Sequence, residues 1–336
     1  MIKDVSNHGS LSDESDDTHR PTAQRAAVRG AAQLAALGAD GLGAEQSGLL
    51  VANYGASLDI EAGDGRRWRC LPRQNLEPLA VGDEVVWQPA RDQQGVVTAL
   101  VPRRSLLSRP ASDGSSRPLA ANLDQLLVVA APQPHYSREL IDQYLAAAEL
   151  SGITPRLLLN KVDLLSASAE AAIAADLADY QQIGYTPIYA SSTTDTGMVG
   201  LQQLLAGRCS VFAGQSGVGK SSLVNRLLPS AGERVGAISE QGLGCHTTST
   251  ARLHRLPSGG AVIDSPGVRE FRLWPLPLAA LLQGFIELRP YAGHCRFRDC
   301  RHQHDPGCAL SAAANRGEIS RQRLDSFRRL ALNFAH

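Results

Sequence analysis

The 336-residue chain has no net charge, with 33 lysines and arginines against 33 aspartates and glutamates. That balance excludes a uniformly basic nucleic-acid binder, although segregated patches of charge remain compatible with one. No stretch approaches the uninterrupted apolar length that a membrane helix needs. The first residues, MIKDVSNHGSLSDESDD, are polar and acidic and contain no apolar core for a signal peptide. The chain is therefore expected in the cytoplasm, without membrane association and as a monomer. There is no long internal repeat. Cysteine is sparse, six in all. In a cytoplasmic chain these point to metal or free thiols, not disulfides.

The hydrophobic fraction of 43% is ample for packed cores, and the length suggests two or three domains. Charge is segregated along the chain. Asp4, Asp13, Glu14, Asp16 and Asp17 make the start acidic. Basic residues gather at Arg66, Arg67, Arg69 and Arg73, at Arg103, Arg104, Arg109 and Arg117, and again around Arg289 to Arg301. Such patches can grip phosphates, and equally serve as solvated surface.

The pattern divides the chain into four parts. Residues 1–45 read as a flexible N-terminal arm. Residues 46–107 contain short strand-like runs near 48–54, 67–71, 83–87 and 95–101, separated by Gly, Pro and Asp-rich turns. This spacing predicts a small β-barrel of the OB type, a fold suited to RNA. Residues 108–275 begin with a Pro/Ser/Gly/Arg stretch, SRPASDGSSRPL, that reads as a linker. Apolar strands then alternate with helical segments over 138–150, 170–180 and 198–205, the pattern of a doubly wound α/β sheet. Residues 276–336 are mostly helical around a Cys/His cluster.

Gly214-Gln215-Ser216-Gly217-Val218-Gly219-Lys220-Ser221 matches the phosphate-binding loop in full. Its backbone N–H groups can turn toward phosphate oxygens. Lys220 should reach the β- and γ-phosphates, and Ser221 should supply a hydroxyl to Mg²⁺. Ser222 is expected to open the next helix, whose N-terminus favours an anion. Asn160-Lys161-Val162-Asp163 follows a buried strand and reads as the guanine-specificity box. Asp163 can accept from guanine N1–H and the exocyclic amine. Asn160 can meet the base edge or bridge to the phosphate loop, the Lys161 stem can lie over the ring, and Ser191-Ser192 can complete the base contacts. Asp264-Ser265-Pro266-Gly267 is a D-x-x-G box, in which Asp264 should hold Mg²⁺ and the Gly267 N–H should sense the γ-phosphate. His246-Thr247-Thr248 lies where the first switch belongs. One of the threonines should meet Mg²⁺ and the γ-phosphate, and Thr248 is the assigned ligand.

The order of these motifs is unusual. The guanine box precedes the phosphate loop, whereas an ordinary GTPase has the phosphate loop first. The chain thus reads as a circularly permuted GTPase. It also lacks the glutamine that many GTPases place after the D-x-x-G glycine, and Val268 cannot orient water. His246 is the nearest group that could do so, and a structural or partner-contacting role is its alternative. The last constellation is Cys295-x₄-Cys300-x-His302-x₅-Cys308, with His304 close by. Three thiolates and one imidazole would make a closed, structural zinc site. Cys70, Cys209 and Cys245 read as packing residues or free thiols.

Taken together, NKVDL, GQSGVGKSSLVN, GLGCHTTSTARL, VIDSPGVREFRLW and CRFRDCRHQHDPGCAL resemble the bacterial ribosome small-subunit-dependent GTPase A family over roughly residues 47–330. The resemblance implies an OB barrel, a permuted GTPase domain and a C-terminal zinc domain. It implies GTP hydrolysis on the 30S subunit and its 16S rRNA late in assembly, and it assigns His302 as the zinc ligand. The family often begins with a basic tail, whereas the tail here is acidic. An RNA-binding assembly protein that uses GTP only as a regulatory ligand is the alternative, which substantial subunit-stimulated turnover would exclude.

Overall fold

The protein is described here by a computed structural model, covering residues 41–110, 116–228, 250–269 and 273–334. Its first unit is a closed five-stranded barrel made of β1 (Gln46–Asn53), β2 (Leu58–Ala62), β3 (Arg67–Pro72), β4 (Glu84–Pro89) and β5 (Gln94–Leu100). The strands close in the order β1-β2-β3-β5-β4-β1, with β3 and β5 parallel and the other pairs antiparallel. This is the OB arrangement. β2 was not among the expected strands, although its LDIEA alternation is the signal for one: Leu58, Ile60 and Ala62 are buried and Asp59 and Glu61 are not. Trp87 fills the barrel interior and packs against Trp68 at 5.2 Å between ring centroids.

The stretch expected as a linker is a hairpin. β6 (Leu106–Pro110) pairs with β7 (Ser116–Ala121) antiparallel. Its prolines fall at Pro110 and Pro118, in a two-stranded sheet where both strands are edges and tolerate a missing N–H.

The α/β unit follows as β8 (Gln125–Ala130), α1 (Arg138–Leu150), β9 (Thr154–Leu159), α2 (Ala167–Asp176), α3 (Ala178–Gln182), β10 (Ile188–Tyr189), α4 (Met198–Leu205), β11 (Cys209–Ala213), α5 (Lys220–Leu227), β12 (Ala251–Arg255), β13 (Ala261–Asp264) and α6 (Pro266–Arg269). Strands β10-β9-β8-β11-β13 are parallel neighbours and β12 is antiparallel at the end. Every residue of β8 is buried, as a central strand covered on both faces requires. Leu126, Val128 and Ala130 point to one face with Ile141 and Leu145 of α1. Leu127 and Val129 point to the other, with Leu201 of α4 and Leu223 of α5.

β12 also pairs antiparallel with β1, so the barrel and the α/β unit share one eleven-stranded sheet. Two contacts flank that seam. Arg255 pairs with Glu61 at 2.7 Å, and the Arg252 guanidinium lies 5.9 Å from the Tyr54 ring centre.

The C-terminal region contains α7 (Leu278–Gln283), α8 (Ala309–Arg316) and α9 (Arg321–Phe334). It packs on the α1 face of the sheet. Gly284 sits so close to α1 that a Cβ there would lie 2.9 Å from the Ala146 methyl. Arg323, at 0% exposure, pairs with Asp142 of α1 and with Glu287 at 2.7 Å, and lies over the Phe285 ring at 4.5 Å. Tyr180 Oη donates to the same Asp142 carboxylate at 2.7 Å. Among the described residues no helix is long and apolar enough to cross a membrane.

Candidate functional site: a nucleotide pocket and a Cys₃His cluster

The parallel strands deliver three loops to their carboxyl ends, the side where open α/β sheets place ligands. The guanine box follows β9, the phosphate loop follows β11, and Asp264 ends β13. Gly214 leaves β11 at φ 146°, and a Cβ there would lie 2.3 Å from the Val129 carbonyl oxygen, so only glycine fits. The loop is pinned at Val218, which is fully buried, while Ser216 and Gly217 are exposed. The helix begins at Lys220, with Gly219 as its cap, two residues before the expected start at Ser222. Lys220 Nζ folds back into the loop and donates to the carbonyls of Gly214 and Gln215 at 2.6 and 2.8 Å. The ammonium thus lies inside the curve of backbone that a phosphate would face. Ser221 is half-buried at the start of the helix and Ser222 is exposed.

Asn160 ties the guanine box to this loop. Its side chain is wholly buried, and its Nδ2 donates to the Val218 carbonyl at 2.9 Å. Its Oδ1 accepts from the Ser192 N–H at 3.2 Å. Of the two roles open to Asn160 in the sequence, the described geometry contains the bridge. Lys161 adopts a left-handed conformation at φ 63°, and its Nζ donates to the carbonyls of Gly217 at 2.7 Å and Gln133 at 2.9 Å. Val162 continues the turn, its N–H donating to the Ala190 carbonyl at 3.3 Å.

Asp163 is exposed, with one carboxylate oxygen accepting from the buried Ser191 hydroxyl. That hydrogen bond is the main reason its carboxyl is held below the ordinary carboxylate range. Ser191 is fixed in turn by the loop behind it: Thr193 and Thr194 N–H groups donate to its Oγ at 3.2 and 3.1 Å. Two supports were not read from the sequence. The loop after β8 carries the Gln133 carbonyl under Lys161, and its His135 carbonyl accepts from Gln215 Nε2 at 3.3 Å. Backbone carbonyls have no side-chain signature, so no motif announces them.

Asp264 lies at the end of β13, half-buried, opposite Arg252 of β12. Gly267 is the second residue of the short α6, where a Cβ would lie 2.7 Å from a Leu119 methyl of the hairpin. Val268 is fully buried in the core. His246, Thr247 and Thr248, together with Cys245, lie outside the described residues.

The second constellation brings Cys295, Cys300, His302 and Cys308 together, with all four ligand atoms within 4.8 Å of one another. His302 Nδ1 lies 3.5 Å from Cys295 Sγ and 3.6 Å from both Cys300 Sγ and Cys308 Sγ. A tetrahedral zinc ion with Zn–S near ~2.3 Å and Zn–N near ~2.0 Å has S···N edges of about 3.5 Å. The cluster therefore has the donor set and the dimensions of a closed structural site. Burial holds the His302 imidazole below its ordinary pKa, a shift toward the neutral form that ligates metal. Arg328 Nε donates to the His302 carbonyl at 2.7 Å, and the Ala309 N–H donates to Cys295 Sγ at 3.3 Å. His304 is exposed and outside the cluster. Cys70 and Cys209 are free thiols, each pushed up to about 12 by burial.

The sequence matches the RsgA GTPase family over residues 100–274. It is 50% identical over 313 residues to the small ribosomal subunit biogenesis GTPase RsgA of Azotobacter vinelandii, covering 92% of this chain and 91% of that one. The fold is similar to crystal structures of YjeQ from Thermotoga maritima (TM-score 0.71, 28% identity, 87% of this chain and 99% of that one) and of YloQ, described as a circularly permuted GTPase (TM-score 0.68, 26% identity, 87% and 95%). The barrel, the permuted order of nucleotide loops and the Cys₃His cluster sit on a chain that is half identical to an RsgA protein along most of its length; the chain belongs to the RsgA GTPase family.

Proposed function

We propose that this protein is a cytoplasmic GTP hydrolase that binds the 30S ribosomal subunit through its 16S rRNA and assists its late maturation, with hydrolysis stimulated by the subunit. The observation that carries the reading is the Asn160 side chain, which joins the guanine box to the phosphate loop at 2.9 Å. A loop holding base and phosphates in fixed relation is what a guanine-nucleotide pocket needs, whichever motif comes first in the chain. The membership of the family and the name of the Azotobacter relative supply the ribosomal context.

In this reading Asp163 accepts from the guanine, with Ser191 holding the carboxylate and the Ser192 N–H close to the base edge. Gly214, Gln215, Ser216, Gly217, Val218 and Gly219 present backbone N–H groups to the phosphates. Lys220 exchanges its two carbonyl partners for phosphate oxygens. Ser221, Asp264 and Thr248 hold Mg²⁺, and Gly267 reports the γ-phosphate through its N–H. His246 positions the attacking water on the subunit. Cys295, Cys300, His302 and Cys308 hold one structural Zn²⁺. The barrel (46–107), GTPase domain (108–275) and zinc domain (276–336) of a monomer engage the RNA.

Nucleotide titration tests this reading. GTP and GDP should bind, ATP should not compete at equal concentration, and Lys220→Ala should lose GTP turnover. Equal affinity for ATP and GTP would overturn it.

A further inference from the structure

A second pocket opens at the other end of the α/β sheet. It has a volume of about 430 Å³ and lies where β8, β9 and β11 begin, with Asp124, Gln125, Thr154, Arg156 and Arg208 in its wall. The nucleotide loops leave the carboxyl ends of these same strands, so the two sites are separated by the length of the sheet. Its wall is polar, unlike the mainly apolar lining usual for pockets that take small drug-like molecules.

Its groups are incompletely satisfied. Gln125 is 0% exposed, and its Nε2 donates to Ser210 Oγ at 3.0 Å and the Leu204 carbonyl at 3.2 Å. Its Oε1 has no partner. A buried acceptor without a donor is costly, so it marks a place where a donor belongs. The Arg156 Nε is buried and also without a hydrogen-bond partner. The exposed Arg208 donates through Nη1 to the Leu204 carbonyl at 2.5 Å, and neither guanidinium has a carboxylate partner among the described residues. Arg104 is different. It is neutralised by Asp124 at 3.0 Å, and that carboxylate also accepts the Cys209 N–H at 2.7 Å. The pocket therefore offers two guanidinium groups without a carboxylate partner and one buried acceptor.

We propose that this pocket is a second site for a ribonucleotide unit. A phosphate would pair with Arg156 and Arg208, and a ribose hydroxyl or an amine would donate to Gln125 Oε1. Guanidinium groups suit phosphate oxygens through paired N–H donors. The volume accommodates more than an inorganic ion. The same chemistry is presented by a free nucleotide and by a nucleotide of an RNA chain; the second source rests on the small-subunit reading above, and the first does not.

The full-length protein, saturated with GDP and Mg²⁺, separates these sources. CMP serves as the free probe, because a cytosine cannot satisfy the guanine box. Calorimetric titration should show one CMP site in the wild type, weakened about tenfold or more by Arg156→Gln and by Arg208→Gln, and unchanged by Arg321→Gln on an exposed part of α9. If the ligand is an RNA nucleotide, CMP gives no heat. In that case Arg156→Gln lowers 30S affinity and reduces its salt slope by about 1, whereas Arg321→Gln leaves the slope alone. The proposal is overturned if CMP does not bind and the 30S affinity and slope of the Arg156 and Arg208 variants equal the wild type. Wild-type failure to bind 30S would count against the ribosomal reading, leaving the CMP result to decide the pocket.

Discussion

Asn160 and Gly219 are in edge contact: a Cβ on Gly219 would lie 2.3 Å from Asn160 Nδ2. Gly219 also stands at φ 94°, so the position excludes any other residue on two counts. The amide reaches past it to the Val218 carbonyl, and the guanine box is locked to the phosphate loop. Removing the amide should loosen both. Asn160→Ala is expected to lower stability by about 1–3 kcal/mol, because buried partners lose their bonds. GTP affinity should fall at least about tenfold. Denaturant unfolding and nucleotide titration measure the two effects, and unchanged GTP affinity would contradict the bridge's role.

Base choice is the second prediction. Asp163→Asn places a donor where guanine presents its amine and where xanthine presents a carbonyl. GTP affinity should drop by about a hundredfold or more, with xanthosine triphosphate now preferred. Competition between the two nucleotides on the variant reads this directly, and retained GTP preference would remove Asp163 from the base site.

A third prediction concerns the docking of the C-terminal region. Arg323, at 0% exposure, is shared between the Asp142 and Glu287 carboxylates. Arg323→Ala leaves two buried carboxylates without a counter-charge, and should destabilise the protein by about 3–5 kcal/mol. Zinc should remain bound, since none of its ligands is touched. Limited proteolysis should release the region beyond residue 275 earlier than in the wild type. A variant as stable as the wild type would mean that this network does not hold the region to α1.

Metal removal gives a fourth. Cys300→Ala should lose stoichiometric zinc and loosen residues 295–308, because binding and folding of such a site are coupled. His304→Ala should keep its metal. Elemental analysis decides, and a metal-free His304 variant beside a metal-replete His302 variant would reverse the ligand assignment.

The elements that carried their own local signal were legible in the sequence. β8 reads as a buried strand because Leu126 to Ala130 is a continuous apolar run, α1 because its spacing is helical, and the phosphate loop because its glycines and lysine are fixed in position. What escaped depends on partners distant in the chain. The β1–β12 seam joins residues about 200 apart, and nothing in either strand names the other. Nothing in the sequence around Arg323 marks it as the arginine that α1 and Glu287 enclose. β2 was overlooked although its alternation was present, since two acidic residues in five disguised it. The 108–119 stretch looked like a linker from its prolines and serines, yet an edge hairpin accommodates both.

The central claim is hydrolysis of GTP on the small subunit. Val268 is buried and cannot orient water, so the free protein should turn over slowly. The decisive measurement is the GTPase rate alone, with purified 30S subunits and with purified 50S subunits. Stimulation of about tenfold or more by 30S, equal to at least ~1.4 kcal/mol of transition-state stabilisation, is the predicted result. Stimulation by 50S subunits but not by 30S subunits would contradict it.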